Sequence, residues 1–302
     1  MKLEGVFPIL PTPFHDDETF DRESMTAVVR FMRELGVDGI TVLGVLGEAS
    51  RLSDGERELV IRTAVQAADG LPVIVGASAG ATYTARELAK MAQCSGACAV
   101  MVTPHAEAVP SDERIVEYYR GIADAISIPI VLQDHPASTQ VHMSAALIAR
   151  ITAEVPAIAG IKEEAVPTAP KIRQLRGLLK RPLKILTGLG GLYALFDLEA
   201  GSDGFNTGFA FPEALMAMHR ASRAQDWVRV RSIYRRFLPL IVFEQQPGVA
   251  IRKEVFRLRG LIKTGRVRHP GAGISPETSA QLRALLDETL PGVDLARPIT
   301  VE

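Results

Sequence analysis

Cysteine is almost missing from this chain. Cys94 and Cys98 are the only two, four residues apart. With no matching Cys/His pair they make no zinc pattern, and they give no disulfide framework. A reducing compartment fits, and a cytoplasmic location is expected. Charge of one sign is missing too. The formal net charge is -1, with no long run of either sign, which argues against nucleic acid and charged membrane surfaces as partners. No apolar stretch is long and charge-free enough to span a bilayer. The opening Met1-Lys2-Leu3-Glu4-Gly5 has neither the apolar core nor the cleavage signal of a secretory peptide. Neither a metal nor a cofactor is expected.

What is present is a sizeable core and a rhythm. The hydrophobic fraction is 47% over 302 residues, enough for one large α/β barrel or two ordinary domains. Short apolar runs alternate with amphipathic stretches. The runs at residues 6–10, 39–43, 72–77, 98–103, 128–132, 158–162, 183–187 and 203–207 read as strands. Helical patterns fall between them. Gly36 stops the first, and Ser53 with Glu56 three residues on reads as a capping box for the second. Eight such βα repeats predict a (β/α)₈ TIM barrel over residues 1–224. The strands then cease. Residues 226–262, interrupted near Pro247-Gly248, and residues 276–290 read as helices. Residues 225–302 are therefore expected to form a C-terminal helical extension packed on the barrel.

One lysine stands out against this pattern. Lys162 closes the apolar run Ala157-Ile158-Ala159-Gly160-Ile161. A lysine ending a buried strand is costly, because desolvation disfavours its charged form. The same desolvation makes the amine nucleophilic toward a ketone or aldehyde. Active sites of such barrels lie at the C-terminal strand ends. Those ends hold Gly44 to Glu48, Ser78, His105, Gln133-Asp134, Lys162, Thr187-Gly188 and Asn206-Thr207. Lys162 thus points into a ring of small and polar residues.

These residues resemble the dihydrodipicolinate synthase and N-acetylneuraminate lyase superfamily of Schiff-base lyases. The resemblance runs over the whole chain. It rests on Gly44-Val45-Leu46-Gly47-Glu48 after the second strand, Gly160-Ile161-Lys162 in the sixth, and the opening Gly5-Val6-Phe7-Pro8-Ile9-Leu10-Pro11-Thr12-Pro13-Phe14. It implies a Schiff base between Lys162 and the keto carbon of a 2-oxo acid, with the substrate carboxylate held by the Gly44–Gly47 loop. It also implies a homodimer or homotetramer. The chain departs from the pattern at several points. Val45 and Leu46 stand where most members carry hydroxyl residues. Gln133 stands where most carry a proton-relaying tyrosine, His105 and Ala106 replace paired tyrosines, and Ser138 falls near the place of an arginine. Glutamine orients a hydroxyl or water but is no general acid. The stretch Gln133-Asp134-x-Pro136-Ala137-Ser138 is similar to the 2-keto-3-deoxy-L-arabonate dehydratases, as is Leu238-Pro239-Leu240-Ile241 with Glu244 following.

The favoured expectation is a dehydratase of a 2-keto-3-deoxy sugar acid. The alternatives are 4-hydroxy-tetrahydrodipicolinate synthase or a pyruvate aldolase, and, in another class, a non-catalytic 2-oxo acid binding protein. A Schiff base at C2 acidifies C3, so dehydration then needs one base and one acid. Lys162, Glu48 and Gln133 are the expected catalytic residues, with Glu48 the leading carboxylate. Gly44, Val45, Leu46, Gly47, Asp134, Glu164, Gly188 and Asn206 are expected to contact substrate. Four features keep a structural alternative. Glu48 is an acid–base group or, equally, a charge complementing a helix N-terminus. Glu164 is a site carboxylate or an ion-pair partner of Lys162 or a nearby arginine. Gly188-Leu189-Gly190-Gly191 is a phosphate loop or merely a tight turn. His105 is a titratable group or a surface residue.

Overall fold

The computed structural model describes residues 2–107, 111–246 and 248–301. Eight strands are present among them: β1 Gly5–Val6, β2 Ile40–Val42, β3 Val73–Gly76, β4 Ala99–Val102, β5 Ile130–Asp134, β6 Ile158–Glu163, β7 Lys184–Thr187 and β8 Gly204–Phe205. All pair in parallel, in the order β1-β8-β7-β6-β5-β4-β3-β2. The Ile9↔Thr41 bridge joins the segment after β1 to β2 and closes the barrel.

Helices alternate with the strands: α1 Arg22–Leu35, α2 Asp54–Ala68, α3 Thr82–Cys94, α4 Asp112–Ala123, the short α5 Pro136–Thr139, α6 Ala145–Glu154, α7 Thr168–Leu178, α8 Ala194–Glu199 and α9 Pro212–Arg223. Their ends follow local chemistry. Gly36 terminates α1 in the left-handed conformation. Ser53 and Glu56 form the expected capping box of α2. The single turn α5 has no counterpart in the sequence reading, because four residues carry no helical period. Three further helices follow: α10 Trp227–Phe243, α11 Gly248–Leu258 and α12 Pro276–Thr289. Of the expected break at Pro247-Gly248, Pro247 lies outside the described residues, and Gly248 opens α11. No helix among the described residues is long and apolar enough to cross a membrane.

Alternation along the strands divides the core in two. Leu3, Phe7, Ile74, Ala99, Met101, Val131 and Leu186 fill the barrel interior. Val42, Val100, Val102, Ile130, Leu132, Ile161 and Ile185 face the helical layer. Both faces are buried, which is why the strands read as continuous apolar runs. A register shift at Ile130/Val131 places Val131 opposite Gly160 and Gln133 opposite Lys162. The interior face of β5 and β6 therefore passes from apolar residues to Gln133 and Lys162 at its upper end.

Candidate active site

Lys162 is buried, 2% exposed, inside the upper barrel. Its Nζ lies 3.2 Å from Glu164 Oε2. Glu164 follows by two residues, so it shares the interior face, and its own N–H donates to Asp134 O at 3.0 Å. The carboxylate is held on three sides. Gln133 Nε2 donates to Oε2 at 2.7 Å, Leu189 N donates to Oε1 at 3.0 Å, and Lys162 completes the set. Gly188 makes the arrangement possible. A Cβ at that position would sit 2.0 Å from Glu164 Oε1.

Electrostatics tune both ends of the pair. Burial lowers the Lys162 amine below the usual lysine range. Glu164 pulls it back up, and Arg252 pushes it down further. Burial pushes the Glu164 carboxyl up, but Lys162, His135, Gln133 and the Leu189 N–H outweigh it and hold the group below its ordinary value. The site thus holds a carboxylate beside an amine that gives up its proton more readily than a free lysine.

The Gly44–Gly47 loop is a strained turn. Leu43 and Glu48, at its two ends, both have positive φ, 57° and 53°. Within it Gly47 N bonds to Gly44 O and Glu48 N to Val45 O. The first amides of the turn, those of Val45 and Leu46, therefore have no partner inside it. Thr12 Oγ1 donates to Gly47 O at 2.7 Å and pins the turn. Val45 is 59% exposed.

Glu48, the expected acid or base, is committed elsewhere. One oxygen takes Lys253 Nζ. The other takes Arg51 Nη1 at 2.7 Å and Arg268 N at 3.0 Å. Its carboxylate ties the β2 loop to α11 and the segment beyond it.

Asp134 also departs from expectation. It follows Gln133 and so faces the other side of β5. Its carboxylate meets Lys171 of α7 and couples to Glu163, its register partner on β6. It belongs to the barrel–helix layer, not to the interior that holds Lys162. Burial, and then Asp134, push Glu163 up to about 9.

Asn206 is interior and fully buried. Its Nδ2 donates to Thr41 Oγ1 at 3.2 Å while its Oδ1 has no partner. Three amides of the glycine turn after β7 are already engaged. Leu189 N goes to Glu164, Gly190 N to Thr207 Oγ1 at 2.6 Å, and Gly191 N to Gly188 O. His105 is exposed.

Two residues near Lys162 escaped sequence reasoning. His135 follows β5, and its ring pKa is lowered by burial while the Glu164 and Lys162 charges act on it in opposite directions. Its position just past a strand end was the available signal. Arg252 lies on α11, buried at 4% exposure. A residue in a tail helix carries no strand-end signal at all. Among the described residues no cluster of three or more His, Cys, Asp or Glu is placed to hold a metal.

A (β/α)₈ barrel with a buried lysine at the top of β6 defines a class of lyase scaffold, and comparison with known proteins identifies the family. Residues 2–289 match the Dihydrodipicolinate synthetase family, and the chain belongs to it. Its relatives are lyases, and so is this protein. It is 34% identical over 290 residues to an L-2-keto-3-deoxyarabonate dehydratase of Azospirillum brasilense, covering 93% of each chain. It is 32% identical over 288 residues to a 4-hydroxy-tetrahydrodipicolinate synthase of Chlorobium luteolum, covering 93% of this chain and 95% of the relative. Among solved structures, a dihydrodipicolinate synthase from Rhodopseudomonas palustris superposes with a TM-score of 0.90 at 37% identity, over 94% of this chain and 97% of that one. The YagE protein of E. coli K12, solved with pyruvate, gives 0.88 at 26% identity, over 95% and 98%.

Proposed function

We propose that the protein is a hydro-lyase that removes water from a 2-keto-3-deoxy sugar acid through a Schiff base on Lys162. The observation that carries this reading is the Lys162–Glu164–Gln133 cluster. It puts a carboxylate, not a phenol, within 3.2 Å of the amine.

The chemistry follows from those positions. The Val45 and Leu46 amides bind the C1 carboxylate. The neutral Lys162 amine attacks the C2 carbonyl, and water leaves as the imine forms. The protonated imine draws electrons from C3. Glu164 accepts the C3 proton, giving the enamine. The enamine then expels the C4 hydroxyl, and the proton now on Glu164 departs with it as water. Tautomerisation and hydrolysis of the imine restore Lys162 and release a 2-oxo acid. The net change is the loss of one water. Gln133 serves as a positioning residue, fixing Glu164 Oε2 without titrating. The Azospirillum relative named as a dehydratase supports the same direction.

The test is borohydride trapping combined with product analysis over a panel of 2-keto-3-deoxy acids. The expected result is a covalent adduct on the Lys162 peptide and a product lighter by one water. A labelled peptide elsewhere rejects the Schiff-base assignment. Carbon–carbon cleavage products or efficient condensation with aspartate semialdehyde restore the aldolase or synthase reading. An adduct without any turnover marks a 2-oxo acid binding protein. The functional unit in this reading is a homodimer or homotetramer, which light scattering at micromolar concentration checks.

A further inference from the structure

Leu46 stands on the carboxylate turn with nothing in its side chain to offer a carboxylate. The side chain is apolar, carries no donor and is half-buried. Two glycines show where it lies. A Cβ added to Gly208, just past β8, would sit 2.1 Å from Leu46 Cδ1, 3.5 Å from its Cγ and 3.4 Å from Ile9 O. A Cβ added to Gly248, the first residue of α11, would sit 3.8 Å from Leu46 Cδ2. One methyl of Leu46 is thus seated in the space that Gly208 leaves open, beside the Ile9 N to Thr207 O bond that continues the β1–β8 pairing. The other faces the start of α11. The backbone at Gly208 has no positive φ, so its own conformation does not require a glycine. The leucine does.

The turn needs such a hold. It is a single turn of three residues, flanked by positive φ at Leu43 and Glu48. A strained turn persists only where its surroundings fix it. Its polar ties grip the C-terminal end. Thr12 Oγ1 donates to Gly47 O, and the Glu48 carboxylate is taken by Lys253, Arg51 and the Arg268 N–H. The amides without a partner inside the turn lie at the other end, on Val45 and Leu46. Val45 is exposed, so Leu46 is the one of the two whose side chain is seated on other elements.

We propose that Leu46 is a positioning residue for the substrate carboxylate. Its side chain, wedged between Gly208 and Gly248, holds the Val45 and Leu46 amides in the orientation that binds C1. The inference rests on the reading that these two amides bind the C1 carboxylate. It deepens that reading in one respect. Recognition of C1 depends on packing against the segment after β8 and against the C-terminal extension, not on a side-chain hydroxyl. The leucine side chain and its own amide share one Cα, so a displaced side chain carries the amide with it. A displacement of about 1 Å at a positioning group costs up to roughly 10²-fold.

The test measures borohydride trapping at Lys162 with pyruvate and with its methyl ester, which has the same keto carbon but no carboxylate. Leu46→Ala should raise the pyruvate concentration giving half-maximal trapping by roughly 10–10²-fold and leave that of the ester unchanged. Leu46→Thr should act in the same direction, although it supplies a hydroxyl. Gly208→Ala should also act so, by pushing Leu46 out of its seat. Gly208→Ala combined with Leu46→Ala should lose less than the two single losses multiplied, because the truncated side chain makes room for the new methyl. Acid and ester weakened alike would mean that the leucine serves the fold, and would overturn the proposal. Unchanged pyruvate trapping in Leu46→Ala, tighter trapping in Leu46→Thr, or losses that simply multiply in the double variant would overturn it too. Equal trapping of acid and ester by the wild type rejects the carboxylate turn. Absence of any pyruvate label on wild-type Lys162 rejects the Schiff base. The proposal falls with either, and the wild type alone shows which.

Discussion

Gln133 and Lys162 are register partners on adjacent parallel strands, and both converge on one oxygen, Glu164 Oε2, at 2.7 and 3.2 Å. This relationship distinguishes the site from one built on a tyrosine. A phenol can pass a proton; an amide can only hold a carboxylate still. The titratable group is then Glu164, and Gly188 is the clearance it needs.

Gly188→Ala tests that clearance. The added Cβ would fall 2.0 Å from Glu164 Oε1, so the carboxylate must move. The unfolding midpoint of the variant, read beside turnover, separates a loss of fold from a displaced carboxylate. Turnover should fall by roughly 10²-fold while trapping of pyruvate at Lys162 persists. Unchanged turnover would mean that the position of Glu164 is not critical.

Glu48→Gln should cost stability, not chemistry. Glu48 carries Lys253, which is completely buried, together with Arg51 and the Arg268 N–H. Removing one charge of such a pair costs about 3 kcal/mol, because the other is left buried. Urea unfolding of the variant, and of Glu48→Gln with Lys253→Met, measures this. The double variant should recover part of the loss, and kcat per folded enzyme should stay within about threefold. A fall of 10² or more with an unchanged unfolding midpoint would return Glu48 to the acid–base role.

Little condensation of pyruvate with aspartate semialdehyde is expected. Gln133 relays no proton, and Ser138, where an arginine would fall, is hydrogen-bonded to His135 Nδ1 at 2.7 Å. A coupled assay showing efficient turnover of that pair would reverse the preference for dehydration.

Much of this was legible in the sequence because both faces of each strand are buried. The apolar runs mark eight strands, and Lys162 is conspicuous only because it ends one of them. The strand-end rule also brought Gln133 onto the list, and the two-residue spacing from Lys162 brought Glu164. It failed in two ways. It did not settle inward against outward residues, so Asp134, which meets Lys171 of α7, was expected to contact substrate. Nor did it show how a loop carboxylate is satisfied. Glu48 is engaged by partners more than two hundred residues away in the chain, Lys253 and Arg268, and no local pattern encodes that. Arg252 was invisible for the same reason.

The buried Asp134–Glu163 pair gives stability a pH dependence separate from activity. Burial and Asp134 push Glu163 up to about 9, so the folded protein keeps a proton that an unfolded chain releases near the ordinary 4.5. Between those values the folded state binds more protons, and stability falls as pH rises. Glu163→Gln should remove that slope. Its unfolding midpoint relative to wild type should rise steadily from pH 5 to pH 9. Parallel curves for the two proteins would show that Glu163 titrates normally.

Glu164→Gln tests the acid–base assignment directly. The amide keeps the size of the carboxylate but can neither take the C3 proton nor return it. Turnover should fall by about 10²–10⁴ while the Lys162 adduct still forms. The pH profile of trapping adds a second, signed readout. Glu164 raises the Lys162 pKa, so removing its charge favours the neutral amine. The pH of half-maximal trapping should therefore lie lower in the variant than in the wild type. A structural glutamate would change folding without moving that midpoint. Loss of turnover with the midpoint unmoved would shift the acid–base role to His135, the other titratable group whose charge couples to both Lys162 and Glu164.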